Sequence, residues 1–484
     1  MGVSKHVVID GQQRLTTIAL FLIALRSLLP PDSKEARKLT RLLVNEDDED
    51  LDHYKLLPTQ QERDRDTFRA LVDGGDAPAN ARMARAVAYF RERLAGTDSE
   101  GEPIDLERVI ATLATRLTVV SIHLAETDDP YLIFESLNAK GTPLTQADLI
   151  RNYLLLRLRT QDQERLYRSL WMPMQNLLGT EHLTEFMRQY LMLGGDEVAS
   201  SSIYAVLKKR LYDIDDAKMP DELARMQRAS VLYARIVGVS SDGDAAIASR
   251  LARLRRWGVS VANPFLLRLL DAHASGTVTA QDVASCLDII ESFVVRRAIC
   301  NVPTNQLKRI FLALTKTFTA EGTPAWLAKT LASGTAGRRW PKDDELDAAW
   351  QTYRAYAASI DRCKLMLETL ENSYQHRERV DPSTATIEHV MPQTLTDEWR
   401  ACLGPDATAV HERWLHCMGN LTLTAYNPEL SNSPFTVKRE RLRESHFELS
   451  RWIAQQETWT AAEIEARGKA LAEKAKTIWA RSGE

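Results

Sequence analysis

The chain has 484 residues, 44% hydrophobic and 26% charged, the make-up of a soluble globular protein with room for two to four domains. A net charge of -4 provides no overall basic field, so any grip on nucleic acid must come from a local strip of cations. No apolar run is long enough to span a bilayer and no signal-peptide pattern opens the chain. The five cysteines (Cys286, Cys300, Cys363, Cys402, Cys417) are scattered with no Cys-x-x-Cys pair, which argues against a disulfide framework and a cysteine zinc cage and points to reduced thiols in the cytoplasm.

In chain order, Lys5 to Ile9 reads as a short strand. It enters the polar turn Asp10-Gly11-Gln12-Gln13-Arg14, and Leu15, Ile18, Ala19, Phe21, Leu22 and Leu25 then recur at helical spacing. A second strand is expected over Leu117 to Leu124. Pro130 opens a helix that ends near Gly141, and Thr145-Gln146-Ala147-Asp148 forms a capping box for the helix from Leu149 to Leu158. Helices with short polar breaks follow to about Leu370, over 164–178, 182–193, 202–211, 221–237, 245–257 and 283–300, with no clean repeat period. In the last hundred residues, Thr386 to Val390 and Leu421 to Thr424 read as short strands, and Phe435 to Leu449 as a cationic helix. The expected fold class is mainly α with small β elements (α+β).

Three stretches carry candidate chemistry. The first is Glu388-His389, followed by Gly419-Asn420-Leu421 and Asn427. A neutral imidazole can take a proton from water near pH 7, so His389 is the candidate general base. Asn420 is the candidate that orients its ring. Glu388 and Asn427, with Asn432 as a substitute, could hold a hard cation such as Mg²⁺ or Mn²⁺. Lys438 could contact a DNA phosphate. Glu388 and His389 are adjacent, so on a regular strand they point to opposite faces. His416 is a competing histidine, read as a packing or supporting residue. The bland alternative is a Glu-His pair in a loop and an Asn-Pro turn at Asn427-Pro428.

The second is Asp10 to Arg14. Gly11 permits a tight turn, Arg14 offers a guanidinium fork, and the helix start presents backbone N–H groups to an anion. The alternative is a helix capped by Asp10. The third is a pair of cationic strips, Arg250, Arg253, Arg255 and Arg256, then Arg296 and Arg297. These could grip phosphate, or form solvated faces and helix-dipole partners.

The stretch 387–393 resembles the start of the His-Asn-His domain of CRISPR effector nucleases and homing endonucleases. The fuller order, Glu388-His389, Pro392-Gln393, 419–423, Asn427, Ser431-Asn432 and Phe435 to Lys438, resembles the C-terminal nuclease domain of GmrSD-type modification-dependent restriction enzymes. Glu388 stands where many relatives outside this subgroup have Asp. The Asp-Gly-Gln-Gln-Arg stretch resembles the N-terminal domain of the same family, a ParB-like fold that binds and hydrolyses nucleoside triphosphate. A second signature, 133–138 followed by Gly141, 143–145 and 148–150, agrees. It adds Glu135 and Asn138, which share a helix face, to Asp10, Gly11, Gln12, Gln13 and Arg14 as nucleotide-binding candidates.

The resemblance implies a partial ParB-like domain over 1–160, a helical connector over 161–370 and a ββα-metal nuclease over 371–484. It also implies a metal-dependent DNA endonuclease that restricts invading, modified phage DNA, with the nucleotide domain as regulator. Family members carry several tens of residues, including a Tyr-Gln-Arg segment, ahead of the Asp-Gly-Gln-Gln-Arg strand. Here that strand begins almost at Met1, so the expectation is a truncated or late-started gene, or a pocket completed by a partner chain or a second copy. The rival reading is a nucleotide-binding sensor or assembly module with an inactive nuclease site. A third is a purely structural helical scaffold.

Overall fold

The structure, a computed structural model, describes residues 6, 8, 11–45, 53–58, 62–123, 145–241, 243–374, 380–425 and 430–482. The chain divides into two compact units. The first comprises Met1–Met172 with Ile214–Pro220, and the second Pro173–Asp213 with Asp221–Glu484. The residues expected as connector and those expected as nuclease thus lie largely in one unit. Among the described residues the protein is mostly helical, and its single sheet is a two-stranded antiparallel pair. No helix among them is long and apolar enough to cross a membrane.

In the first unit, α1 (Gln12–Ser27) packs on α2 (Lys34–Leu43) and α4 (Arg82–Leu94), with α3 (Glu62–Asp73) against α4 and α5 (Leu106–Arg116) following. Helix α2 shows the local logic. Ser33 accepts a hydrogen bond from the Ala36 amide at its N-cap, and Ala36, Leu39 and Leu43 turn inward from one face. They join Ala24, Leu25, Phe68 and Ile110 in the core. The expected capping box is formed: Thr145 Oγ1 accepts from the Asp148 amide and Asp148 reaches back to the Thr145 amide, opening α6 (Gln146–Leu156).

Most of the strand expected from Lys5 to Ile9, and the helix expected after Pro130, lie outside the described residues. The strand expected over Leu117 to Leu124 is not formed over its described part, 117–123. Val119 and Val120 are 69% and 89% exposed there. A β-branched run becomes a strand only when a second strand takes up its N–H and C=O groups, and no described strand does so.

The second unit is built around α7 (Ala280–Ile299), which Thr279 and Asp282 cap reciprocally. It packs against Ala245–Trp257 and Thr323–Ala332, and its Phe293 meets Trp340 edge to face. The expected break between helices near residue 180 is Gly179, at φ 62° and ψ -175°. Farther along, α8 (Ile360–Asn372) supports the small sheet. Its strands are β1 (Thr386–His389) and β2 (Leu421–Thr424), and His389 pairs with Leu421. Three helices complete this end: α9 (Phe435–Arg443), α10 (Glu448–Ala454) and α11 (Ala461–Ile478). The single helix expected over 435–449 is thus two helices, α9 and α10.

Candidate active site

The turn Met418–Asn420 leads into β2 and is held from three sides. Gly419 has no side chain because none fits: a Cβ there would lie 2.2 Å from the Ile464 carbonyl oxygen of α11. Arg467, also on α11, is buried and donates to the carbonyls of Met418, Gly419 and Leu421 at 3.0, 2.9 and 2.7 Å. Burial pushes its guanidinium down to about 10, still protonated at neutral pH. Asn420 is fully buried, and both ends of its amide are used. Oδ1 accepts from the Met391 amide at 2.8 Å and from Trp459 Nε1 at 3.1 Å. Nδ2 donates to the carbonyls of Met391 and Leu415, each at 3.0 Å.

Asn420 was expected to orient the His389 ring. Its amide instead fixes the backbone at Met391, two residues beyond His389, and the Val390 amide donates to the Asn420 carbonyl at 3.0 Å. The residue therefore locks the place where β1 leaves the sheet. The ring of His389 meets other groups. Its Nε2 lies 3.2 Å from His416 Nδ1, and its centroid lies 4.5 Å from the Tyr356 ring in an edge contact. His389 is 4% exposed. Burial, then the nearby His416, Lys438 and His411, push its pKa down to about 3, so the ring is neutral at physiological pH.

Glu388 points elsewhere, as strand alternation requires. Lys438 Nζ, on α9, donates to Glu388 Oε1 at 2.5 Å and to the His389 carbonyl at 2.8 Å. Burial drives the Glu388 carboxyl up and the Lys438 ammonium down, and their mutual attraction opposes both shifts. The expectation that Lys438 contacts a DNA phosphate is corrected here. Its side chain is completely buried, and a buried ammonium needs a counter-charge and acceptors, which Glu388 and the His389 carbonyl supply.

Lys438 holds Glu388 through Oε1. Asn432 is exposed in the turn before α9, and Asn427 lies outside the described residues. Among the described residues no group of three or more His, Cys, Asp or Glu side chains is placed to hold a metal ion.

In the first unit, Gly11 is the N-cap of α1 in the left-handed conformation, φ 87°, with no side-chain cap. Gln12, Gln13 and Arg14 are exposed on the first turn, and Gln12 Nε2 donates back to the Val8 carbonyl at 2.7 Å. Asp10, Glu135 and Asn138 lie outside the described residues.

The arginines of the two cationic strips are engaged within the protein. Arg250 chelates Asp288, with Nε and Nη2 each 2.9 Å from a carboxylate oxygen. Arg253 binds Asp288 and Glu291, and Arg256 binds Glu368. Arg255 donates to the carbonyls of Arg235 and Ile236. Arg296 and Arg297 are buried on backbone carbonyls, including those of Trp479 and Pro303. These arginines tie helices together inside the unit.

Two family models match the chain. The GmrSD restriction endonuclease N-terminal domain matches residues 2–155, and the GmrSD restriction endonuclease C-terminal domain matches residues 340–474. The chain belongs to the GmrSD restriction endonuclease family, and the endonuclease function and DNA substrate follow from that membership. No curated protein matches it.

Proposed function

We propose that the chain hydrolyses DNA phosphodiester bonds with His389 as general base, in a restriction system directed at modified phage DNA. The observation that carries this reading is the place of His389. It lies at the end of β1, and the strand exit is pinned by Asn420 within the stretch matched by the C-terminal domain. A neutral ring has a lone pair for the proton of an attacking water. As the water oxygen forms its bond to phosphorus, the proton passes to His389, and the bond from phosphorus to the leaving 3′ oxygen breaks. Asn420, Arg467 and Gly419 hold the backbone that aims the ring, and Lys438 fixes Glu388 and the His389 carbonyl.

A divalent cation, Mg²⁺ or Mn²⁺, would supply charge neutralisation on the phosphate; its candidate ligands are Glu388, Asn427 and Asn432, and Glu388 would have to exchange Lys438 for the cation. The Gly11 turn, with Asp10, Gln12, Gln13, Arg14, Glu135 and Asn138, is proposed to bind a nucleoside triphosphate that regulates cutting. The support is the uncapped, left-handed start of α1 with no acidic residue in its first turn. The test is cleavage of modified and unmodified phage DNA in Mg²⁺ or Mn²⁺, with and without nucleotide and with EDTA as control. Cleavage that depends on the cation and on the modification supports the reading. Equal degradation of both DNAs in EDTA refutes it.

A further inference from the structure

We propose that His416 is a positioning residue for His389, holding its ring in a single tautomer in which Nε2 carries the proton and Nδ1 keeps the lone pair. The inference rests on the nuclease reading of His389 given above and deepens it.

The geometry starts from the sheet. His389 is the last residue of β1 and faces Leu421, the first residue of β2. His416 lies five positions before Leu421 in the segment that ends at the Asn420 turn, so the pairing that sets the sheet register also brings the two imidazoles together. Their approach is specific: His389 Nε2 to His416 Nδ1 is 3.2 Å, with the ring planes at 75°. Only one of two facing ring nitrogens can carry the shared proton when both rings are neutral, so the contact selects a tautomer for each ring.

Tyr356 keeps this arrangement from rotating. Its ring meets His389 edge-on at 4.5 Å and stacks on His416 at 5.5 Å with an interplanar angle of 14°. Its own amide donates to the His416 carbonyl at 3.4 Å. A single tyrosine therefore presses on both rings and ties the backbone of one of them. His389 is buried and His416 is half-buried, so His416 also stands on the solvent side of the contact.

As a base His389 needs a free lone pair, and its Nε2 is already engaged by His416 Nδ1, so in the nuclease reading Nε2 carries the proton and donates to His416. The nitrogen left to take a proton from water is then Nδ1 of His389. Partners that fix a functional histidine through its other nitrogen typically change activity by roughly 10–100-fold when removed. No such partner for His389 is supplied by Asn420, whose amide is spent on Met391, Leu415 and Trp459.

The test uses the full chain and three proteins: wild type, His416→Leu and His416→Asn. Asparagine can place Oδ1 near the position of Nδ1 and keep an acceptor there, whereas leucine cannot. In plasmid nicking, His416→Leu is expected to lower kcat by roughly 10–100-fold with little change in KM, and His416→Asn to recover most of that loss. Independently of activity, ¹⁵N-resolved imidazole spectra of the wild type should show His389 protonated on Nε2, with mixed tautomers in His416→Leu. A wild-type His389 protonated on Nδ1, or a His416→Leu variant that nicks at the wild-type rate, overturns the proposal. If the wild type fails to nick, or nicks no better than His389→Ala, the nuclease reading falls. The tautomer spectrum still decides the contact, including where a variant fails to fold.

Discussion

Lys438 and Glu388 stand fifty positions apart in the chain, yet Lys438 Nζ lies 2.5 Å from Glu388 Oε1 with neither side chain more than 5% exposed. The same ammonium donates to the His389 carbonyl, so one buried cation fastens both residues of the Glu-His pair to helix α9. Removing one partner leaves a lone charge in a dry site. Lys438→Met is expected to cost roughly 3–5 kcal/mol of stability, read from urea unfolding. The double variant Lys438→Met, Glu388→Leu should recover most of it. A single variant as stable as the wild type would show that the pair adds nothing.

Asn420 satisfies four buried backbone and side-chain partners at once. Asn420→Ala leaves them unpaired, at about 1–3 kcal/mol for each that finds no new partner. The expected loss is about 3 kcal/mol or more, together with lost nicking, because the exit of β1 is no longer pinned. Differential scanning calorimetry checks the first part. An unchanged melting temperature would mean that water replaces the amide without cost.

Gly419 sits where α11 comes closest to the turn, and a methyl group would overlap the Ile464 carbonyl oxygen. Gly419→Ala is expected to destabilise by about 3 kcal/mol, the upper end of ordinary overpacking. Chemical denaturation measures it, and a cost below about 1 kcal/mol would mean that α11 shifts freely away from the turn.

The pH dependence follows from His389. Its native pKa of about 3 lies below its ordinary value of 6.5. Between these values the unfolded chain binds a proton that the native chain does not, so stability rises with pH. This contribution is complete above pH 6.5 and is lost progressively as the pH falls toward 3. The urea midpoint of the wild type should therefore drop more steeply from pH 6.5 to 4 than that of His389→Gln. Identical slopes would place the His389 pKa near its ordinary value.

Much of this architecture was legible in the chain. The helix breaks at Gly179, the Thr145–Asp148 box and the strands before His389 and after Asn420 follow from local preference, which a short window of sequence contains. The adjacency of Glu388 and His389 stood in tension with one cation site shared by both, and the structure turns them to different partners, Lys438 and His416. What failed was long-range. Arg250 was open to either a phosphate strip or a solvated face, and its bond to Asp288, 38 residues on, was not visible in a short window. Lys438 looked like a surface cation for the same reason. The stretch at 117–123 has the composition of a strand, but a strand exists only with a partner ladder, and composition does not reveal one. His416 was legible as a packing or supporting histidine, but not which residue it supports. Its contact with His389 comes from the register of β1 on β2, which places it beside the strand end.

The central claim is that His389 is the base of a DNA-cutting site. The direct measurement is nicking of supercoiled plasmid by purified wild type and His389→Ala in Mg²⁺ or Mn²⁺, both proteins first shown to be folded. The account predicts cutting by the wild type and a loss of at least about a hundredfold in the variant, the scale of a removed general base. Equal cutting by the two proteins would contradict it.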